Sequence, residues 1–371
     1  MNMFFVAGIG VAVFIEFLLI TKKNKSDADK ILTLWMFLIV IHFFSFYAYY
    51  TGDFFSFPSL LGLELPLPML HGVFLYLYTA TLTDQLPKKR SWLLLHFVPV
   101  SAMYLYLISF YMLPADQKIF IYKNRGAGFE VFDTIKFYAI VCSGILYVVW
   151  SGVLLKKHRR NIREQFSDLE KVNLQWLSVL TIGLGCIWFL VIFFGNDSLI
   201  FSGVVVFIFL IGFFGTRQGN IFSHVPISSG EVVENVNEEK EEGKEKYQKS
   251  GLTEEASKEI HEKLLRLMME ESLYKKSDLA ITDLSARLGI HTNYLSQIIN
   301  EREGKNFYDF VNTYRVEEFK RLLDDPKNRN LTLLSLAFDC GFNSKSSFNR
   351  FFKKATGQTP SEYFETLVNQ T

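Results

Sequence analysis

Residues 333–354 read LLSLAFDCGFNSKSSFNRFFKK, and the apolar spacing around Gly341 decides the fold of the C-terminal region. Leu336, Ala337 and Cys340 fall on one side of a helix, and Phe348, Phe351 and Phe352 on one side of the next. Gly341 stands between them, where a tight turn needs a backbone angle that glycine tolerates. The same plan recurs upstream in residues 281–300, ITDLSARLGIHTNYLSQIIN. There Leu284 and Leu288 precede Gly289, and Leu295, Ile298 and Ile299 restart an apolar face. Ser285 stands four positions before Gly289, as Ala337 stands four before Gly341, and a small residue at that place lets two helices approach. Leu295 follows its glycine by six positions and Phe348 by seven, so the second turn is longer by one residue. Two copies of one helix-turn-helix plan argue against coincidence far more than one does.

Between the copies, residues 307–323 carry Phe310, Val311 or Tyr314, Phe319 and Leu322 at helical spacing. This predicts a helix that fixes the two units relative to each other, ended by Asp324, Asp325 and Pro326. From Thr253 another apolar face appears, with Ile260, Leu264, Leu267 and Met268, and predicts a helix packed on the domain that follows. Residues 228–250 are interleaved Glu and Lys with too few apolar groups to offset ordering entropy, and read as a tether.

The run LAFDCGFNSKSSFNRFFKKATGQTPSEYF, residues 336–364, resembles the signature of the AraC/XylS family of bacterial transcription regulators. Gly341–Phe342, Phe348, Phe352–Lys353, Gly357, Pro360 and Tyr363 carry the resemblance, and Arg315 in the connecting helix and the first unit also fit it. It covers residues 253–367. It implies that each unit places its second helix in one of two successive major-groove segments of double-stranded DNA, with half-sites about 34 Å apart. The exposed faces of those helices would carry His291, Thr292, Asn293, Ser296, Gln297 and Asn300 in the first unit. In the second they would carry Ser344, Lys345, Ser346, Ser347, Asn349 and Arg350. Family position assigns base reading to Asn293, Ser296, Gln297, Lys345, Ser346 and Arg350. Arg350 has the two donors that suit guanine O6 and N7, and Gln297 the donor and acceptor that suit adenine. Lys353, Lys354 and Arg302 are expected to hold phosphates, which position without specifying sequence. No acidic residue occurs from Asn343 to Pro360, so strongly salt-dependent binding is expected.

The first half of the chain differs in kind. Overall, 49% of the residues are hydrophobic and the formal charge is +1, but these figures average two unlike halves. A bilayer core of roughly 30 Å needs about 20 mostly apolar helical residues. Seven segments approach that length: 3–20, 31–50, 65–83, 92–113, 134–155, 174–194 and 199–215. Basic residues collect after the first (Lys22, Lys23, Lys25, Lys30), the third (Lys88, Lys89, Arg90) and the fifth (Lys156, Lys157, Arg159, Arg160, Arg163). The loops between are acidic or mixed, and this alternation predicts an outside N-terminus and a cytoplasmic C-terminal domain. No positive charge precedes the first apolar run, so it reads as a retained span rather than a signal peptide.

These readings combine into an all-α chain: a seven-helix transmembrane domain at 1–216, a charged linker at 217–252 and a DNA-binding domain at 253–367 with helix-turn-helix units near 281–300 and 333–354. The expected place is the bacterial cytoplasmic membrane, with the lipid bilayer and DNA as partners, and room for a homodimer, RNA polymerase and a small-molecule or membrane signal. Phosphate-binding, dinucleotide, zinc-protease and nucleophile-elbow motifs are all absent from the sequence, so neither an enzyme nor a cofactor is expected. Three scattered cysteines (Cys142, Cys186, Cys340) read as apolar filler. His42 and His71 lie deep in apolar segments, where ionisable groups are candidates for ligand sensing, with interhelical hydrogen bonding as the plainer explanation. The leading function is a one-component sensor that couples a membrane or extracellular signal to promoter binding. The competing one is a transporter or membrane enzyme with a regulatory DNA-binding tail.

Overall fold

Apolar length and proline position decide which segments of the first half become long helices. The computed structural model describes residues 2–124, 126–170, 172, 174–217, 253–328 and 330–370. In the N-terminal region the helices are α1 (Asn2–Thr21), α2 (Asp27–Thr51), α3 (Leu67–Leu82), α4 (Val98–Tyr106), α5 (Ile108–Tyr111), α6 (Ala115–Lys123), α7 (Glu130–Gln165), α8 (Gln175–Phe193) and α9 (Asp197–Arg217). Five of them, α1, α2, α7, α8 and α9, are long and apolar enough to cross a membrane.

The expectation of seven spanning helices is corrected at two places. The third segment is a 16-residue helix that starts behind Pro66 with Pro68 in its first turn. At about 1.5 Å per residue it is shorter than the bilayer core. Most of its side chains are buried, so its apolar composition serves protein packing. The fourth segment is not one helix. It begins as a 3-10 stretch, Arg90–Phe97, restarts at Val98 and breaks again at Leu107. Pro99 lacks an N–H and fits only the first turn of a helix, which forces the restart.

Helix α1 packs on α2 and α9, α8 packs on α9, and α2 packs on α3. Aromatic rings fill the seam, with Phe46 stacked on Phe201 at 3.6 Å between centroids. Close approach requires small residues: a Cβ at Gly144 would overlap the Trp188 indole. The α1–α2 turn is fixed by Ser26, which caps α2 in a box with Asp29, while Asp29 also pairs with Lys22 at 2.8 Å. Large apolar side chains, among them Phe14, Phe17, Phe44, Val149 and Ile182, remain exposed on the long helices. Such surfaces point to membrane association.

The second unit contains α10 (Glu254–Glu270), α11 (Ile281–Leu288), α12 (Thr292–Glu303), α13 (Phe307–Asp324), α14 (Leu333–Asp339), α15 (Lys345–Thr356) and α16 (Pro360–Gln370). It has two cores. Leu264 and Met268 of α10 join Leu284, Leu295, Ile299, Phe307, Phe310 and Val311 in the first. Val316 and Phe319 join Leu336, Cys340, Phe348 and Phe352 in the second. Helix α13 therefore contributes to both cores and ties them together. Residues 157–173, which the sequence placed in the membrane domain, pack with this unit instead. The reason is apolar: Ile162 and Leu169 are buried in the second core. Among the described residues there are helices but no strands, apart from one isolated bridge between Phe166 and Ala280. The expected tether at 217–252 lies outside the described residues, except Arg217.

Candidate nucleic-acid interface

The two turns are built by the same hydrogen bonds. Gly289 adopts φ +66°, its N–H donates to Ala286 O and the Ile290 N–H donates to Ser285 O. Gly341 adopts φ +96°, its N–H donates to Phe338 O and the Phe342 N–H donates to Ala337 O. Each glycine thus closes the C-terminus of its first helix and satisfies carbonyls that would otherwise be orphaned. Ser285 and Ala337, the small residues four positions earlier, are both buried. The second helix starts three residues after Gly289 but four after Gly341, as the spacing predicts. His291 caps α12, and Ser344 caps α15 by accepting from the Ser347 N–H at 3.1 Å.

Arg315 locks the frame. It is 1% exposed on α13, and its guanidinium donates to Tyr274 O at 2.7 Å, Lys276 O at 2.8 Å and Ser167 Oγ at 3.1 Å. Burial lowers its pKa to about 10, which leaves it charged at neutral pH. Its charge is distributed over carbonyl acceptors, the arrangement a buried cation requires. Beside it, Glu318 is held down to about 2 by Arg321 and then Lys275, at 2.7 Å each. Cys340 is fully buried, and burial pushes its thiol up to about 12, which suits filler rather than chemistry.

The expected reading residues lie on or directly cap two helices, α12 and α15, and all but Ser347 are at least partly accessible. Asn293, Lys345, Ser346 and Arg350 are exposed, and Thr292, Ser296, Gln297, Asn300, Ser344 and Asn349 are partly so. His291 is exposed at the start of α12. Ser347 is 5% exposed, because it lies one turn before Phe351 on the buried side of α15, and it cannot present itself to a base. Lys345, Arg350 and Lys353 have no ion pair to any described residue and leave a free basic face. Lys354 is tied to Asp309 at 2.7 Å and Arg302 to Glu254 at 2.6 Å. Both pairs are on the surface and worth only about 0–1 kcal/mol, so phosphate can compete for either cation.

Besides Gln297, whose Nε2 donates to Glu301 Oε1 on its own helix at 2.9 Å, four of the expected reading groups already hold a carboxylate from residues 164–170. Ser296 Oγ and Asn300 Nδ2 donate to Glu164 Oε2 at 2.9 and 3.1 Å. Ser346 Oγ donates to Glu170 Oε1 at 3.1 Å, and Ser344 Oγ donates to the same oxygen. Asn343 Nδ2 donates to Asp168 Oδ2 at 2.7 Å. Sequence reasoning did not single out these three acids. The available signal was a cluster of acids directly after the most basic loop of the chain.

Residues 284–366 match the family model described as a helix-turn-helix domain. Over 91 residues the chain is 36% identical to an uncharacterized HTH-type transcriptional regulator of Staphylococcus aureus, spanning 24% of this chain and 12% of that protein. Over 79 residues it is 38% identical to the uncharacterized HTH-type transcriptional regulator YobQ of Bacillus subtilis, spanning 21% of this chain and 32% of that protein. A solved structure from Listeria innocua, of unknown function, covers 29% of this chain and 96% of its own at 29% identity, with a TM-score of 0.26. The C-terminal region is therefore an AraC-type helix-turn-helix domain. The chain spans about an eighth of the length of the staphylococcal relative it matches.

Proposed function

We propose that this protein is a membrane-anchored, sequence-specific regulator that reads DNA with α12 and α15 and takes its signal through the membrane-spanning unit. The observation that carries the reading is the pair of equivalent turns at Gly289 and Gly341, joined by one helix with a buried arginine. Two such units address adjacent major-groove segments about one helical turn apart. In this reading Asn293, Ser296, Gln297, Lys345, Ser346 and Arg350 face base edges, and Lys353 holds phosphate. Lipid surrounds the apolar helices, and the basic residues after α1 and at the end of α7 favour a C-terminal domain in the cytoplasm of a bacterium, where it would meet promoter DNA and RNA polymerase.

A cavity of about 440 Å³ in the first unit supports sensing. Aromatic rings (Phe46, Tyr49, Phe110, Tyr122) line it together with Glu64, Asp133, Lys136 and His42. His42 is stacked on His71, with Nδ1 2.9 Å from His71 Nε2. His71 Nδ1 is buried without a partner among the described residues. His42 lines the cavity and His71 is stacked against it, which favours a ligand-linked role over plain packing. The test is genome-wide mapping of DNA bound by the full-length protein in its own cell. Recovery of a shared sequence with two half-sites about one turn apart supports the reading, and recovery of no preferred sequence refutes it.

A further inference from the structure

Residues 162–170 lie against the C-terminal unit as a strap with an anchored centre and two acidic arms. At the centre, Ser167 is 1% exposed and its N–H and Oγ both donate to Leu279 O, at 3.1 and 2.6 Å. Its own carbonyl accepts from Asn312 Nδ2 at 3.0 Å, and its hydroxyl accepts from Arg315. Ile162 and Leu169 are buried on either side. Three residues before Ser167, Glu164 reaches Ser296 and Asn300 on α12. Three residues after it, Glu170 reaches Ser344 and Ser346 at the start of α15. One short segment therefore holds polar groups on both recognition helices, with one carboxylate for each.

We propose that this strap is autoinhibitory: Glu164 and Glu170 occupy the groups that face DNA, and binding requires the two arms to leave. The inference rests on the reading of α12 and α15 as the DNA-facing helices. A hydroxyl or amide that donates to a carboxylate is not free to donate to a base edge. A carboxylate held on the reading face also repels the phosphate backbone, whose charge dominates affinity. Anchoring through Ser167 explains why the arms find both helices without large ordering cost. The chain supplies a route for control, because the strap continues from α7 at one end and leads to α8 at the other, and both are candidate spans. A signal that shifts the ends of α7 and α8 changes the tension on the strap, and the carboxylates are the two-state element that it biases.

Two measurements on the full-length protein in zwitterionic lipid nanodiscs test this. The probe is a random-sequence duplex pool and the site enriched from it. Glu164→Gln/Glu170→Gln should bind the enriched duplex about tenfold more tightly than the parent, within the usual range of coupling between linked sites. Each single change should strengthen protection mainly at its own half-site, which a merely structural role would not do. Equal or weaker binding by the folded double variant overturns the proposal. The parent protein gives an independent reading: carbodiimide labelling of Glu164 and Glu170 should rise when the duplex is added. Unchanged or reduced labelling with DNA bound means that the carboxylates stay in place, and that overturns it too. If neither protein binds any duplex, the DNA-reading assignment fails and takes the strap with it. If both bind alike, only the strap fails.

Discussion

The two helix-turn-helix units share a turn but not a setting. Gly289 and Gly341 make the same pair of backbone hydrogen bonds and both sit at positive φ. A Cβ at Gly289 would enter open space, whereas one at Gly341 would lie 2.6 Å from Tyr274 O and 2.8 Å from Lys275 O. Arg315 holds Tyr274 O itself and the carbonyl of Lys276, next to Lys275. The second unit is therefore clamped to the frame at its turn, and the first is held mainly through its helix faces. One motif can carry two levels of rigidity, set by what packs behind the glycine.

The largest effect that follows is on folding. Gly341→Ala combines left-handed strain with backbone overlap and should cost about 3–5 kcal/mol. Gly289→Ala carries strain alone and should cost about 1–2 kcal/mol. Hydrogen exchange of the full-length protein reads both, with protection lost around α14 and α15 in the first case and a smaller, local loss around α11 in the second. Equal losses would erase the distinction between the units.

Base reading comes next. Arg350→Ala should cost about 1–3 kcal/mol at one position of the site and Gln297→Ala a similar amount at a position in the other half-site. Competition with singly substituted duplexes separates the two, and unchanged preference at every position would show that the residue is not a reader. Smaller still is the phosphate effect. Lys353→Ala should weaken binding to all duplexes alike and reduce the salt slope by about 1. Lys354→Ala should do less, because its ammonium is already engaged by Asp309 at 2.7 Å.

The smallest effect concerns acid stability. Glu318 has a folded pKa held at about 2, below its ordinary value of 4.5, by Arg321 and Lys275. A depressed carboxylate stabilises the fold at pH above the ordinary value, and that contribution is lost as pH falls from about 4.5 toward about 2. Unfolding measured across this range should show a steeper decline around α13–α15 than Glu318→Gln shows. A parallel decline in both proteins would remove Glu318 from the account.

Much of the DNA-facing half was legible in the sequence because its signals are local. The turn glycines, the small residues four positions earlier and the one-residue difference between turns lie within short windows, and the structure has each of them. Ser347 was misread for a local reason as well, since its polar side chain hid its place on the Phe351 side of α15. In the first half, apolar length gave the long helices but could not tell a lipid-facing span from α3, whose apolar groups face protein. The strap was not legible. Its contacts join residues 112 to 176 positions apart, and its acids vanish into a loop whose charge reads as basic. Arg315 was visible as a matching residue, but its role as the buried clasp for Tyr274, Lys276 and Ser167 needed the fold.

The central claim is that two unequal units read adjacent DNA half-sites as one module. Footprinting of the full-length protein on its enriched duplex tests this most directly. The account predicts two protected major-groove segments about 34 Å apart, one lost selectively in Gln297→Ala and the other in Arg350→Ala. A single protected segment, or both segments weakened together by either substitution, would contradict it.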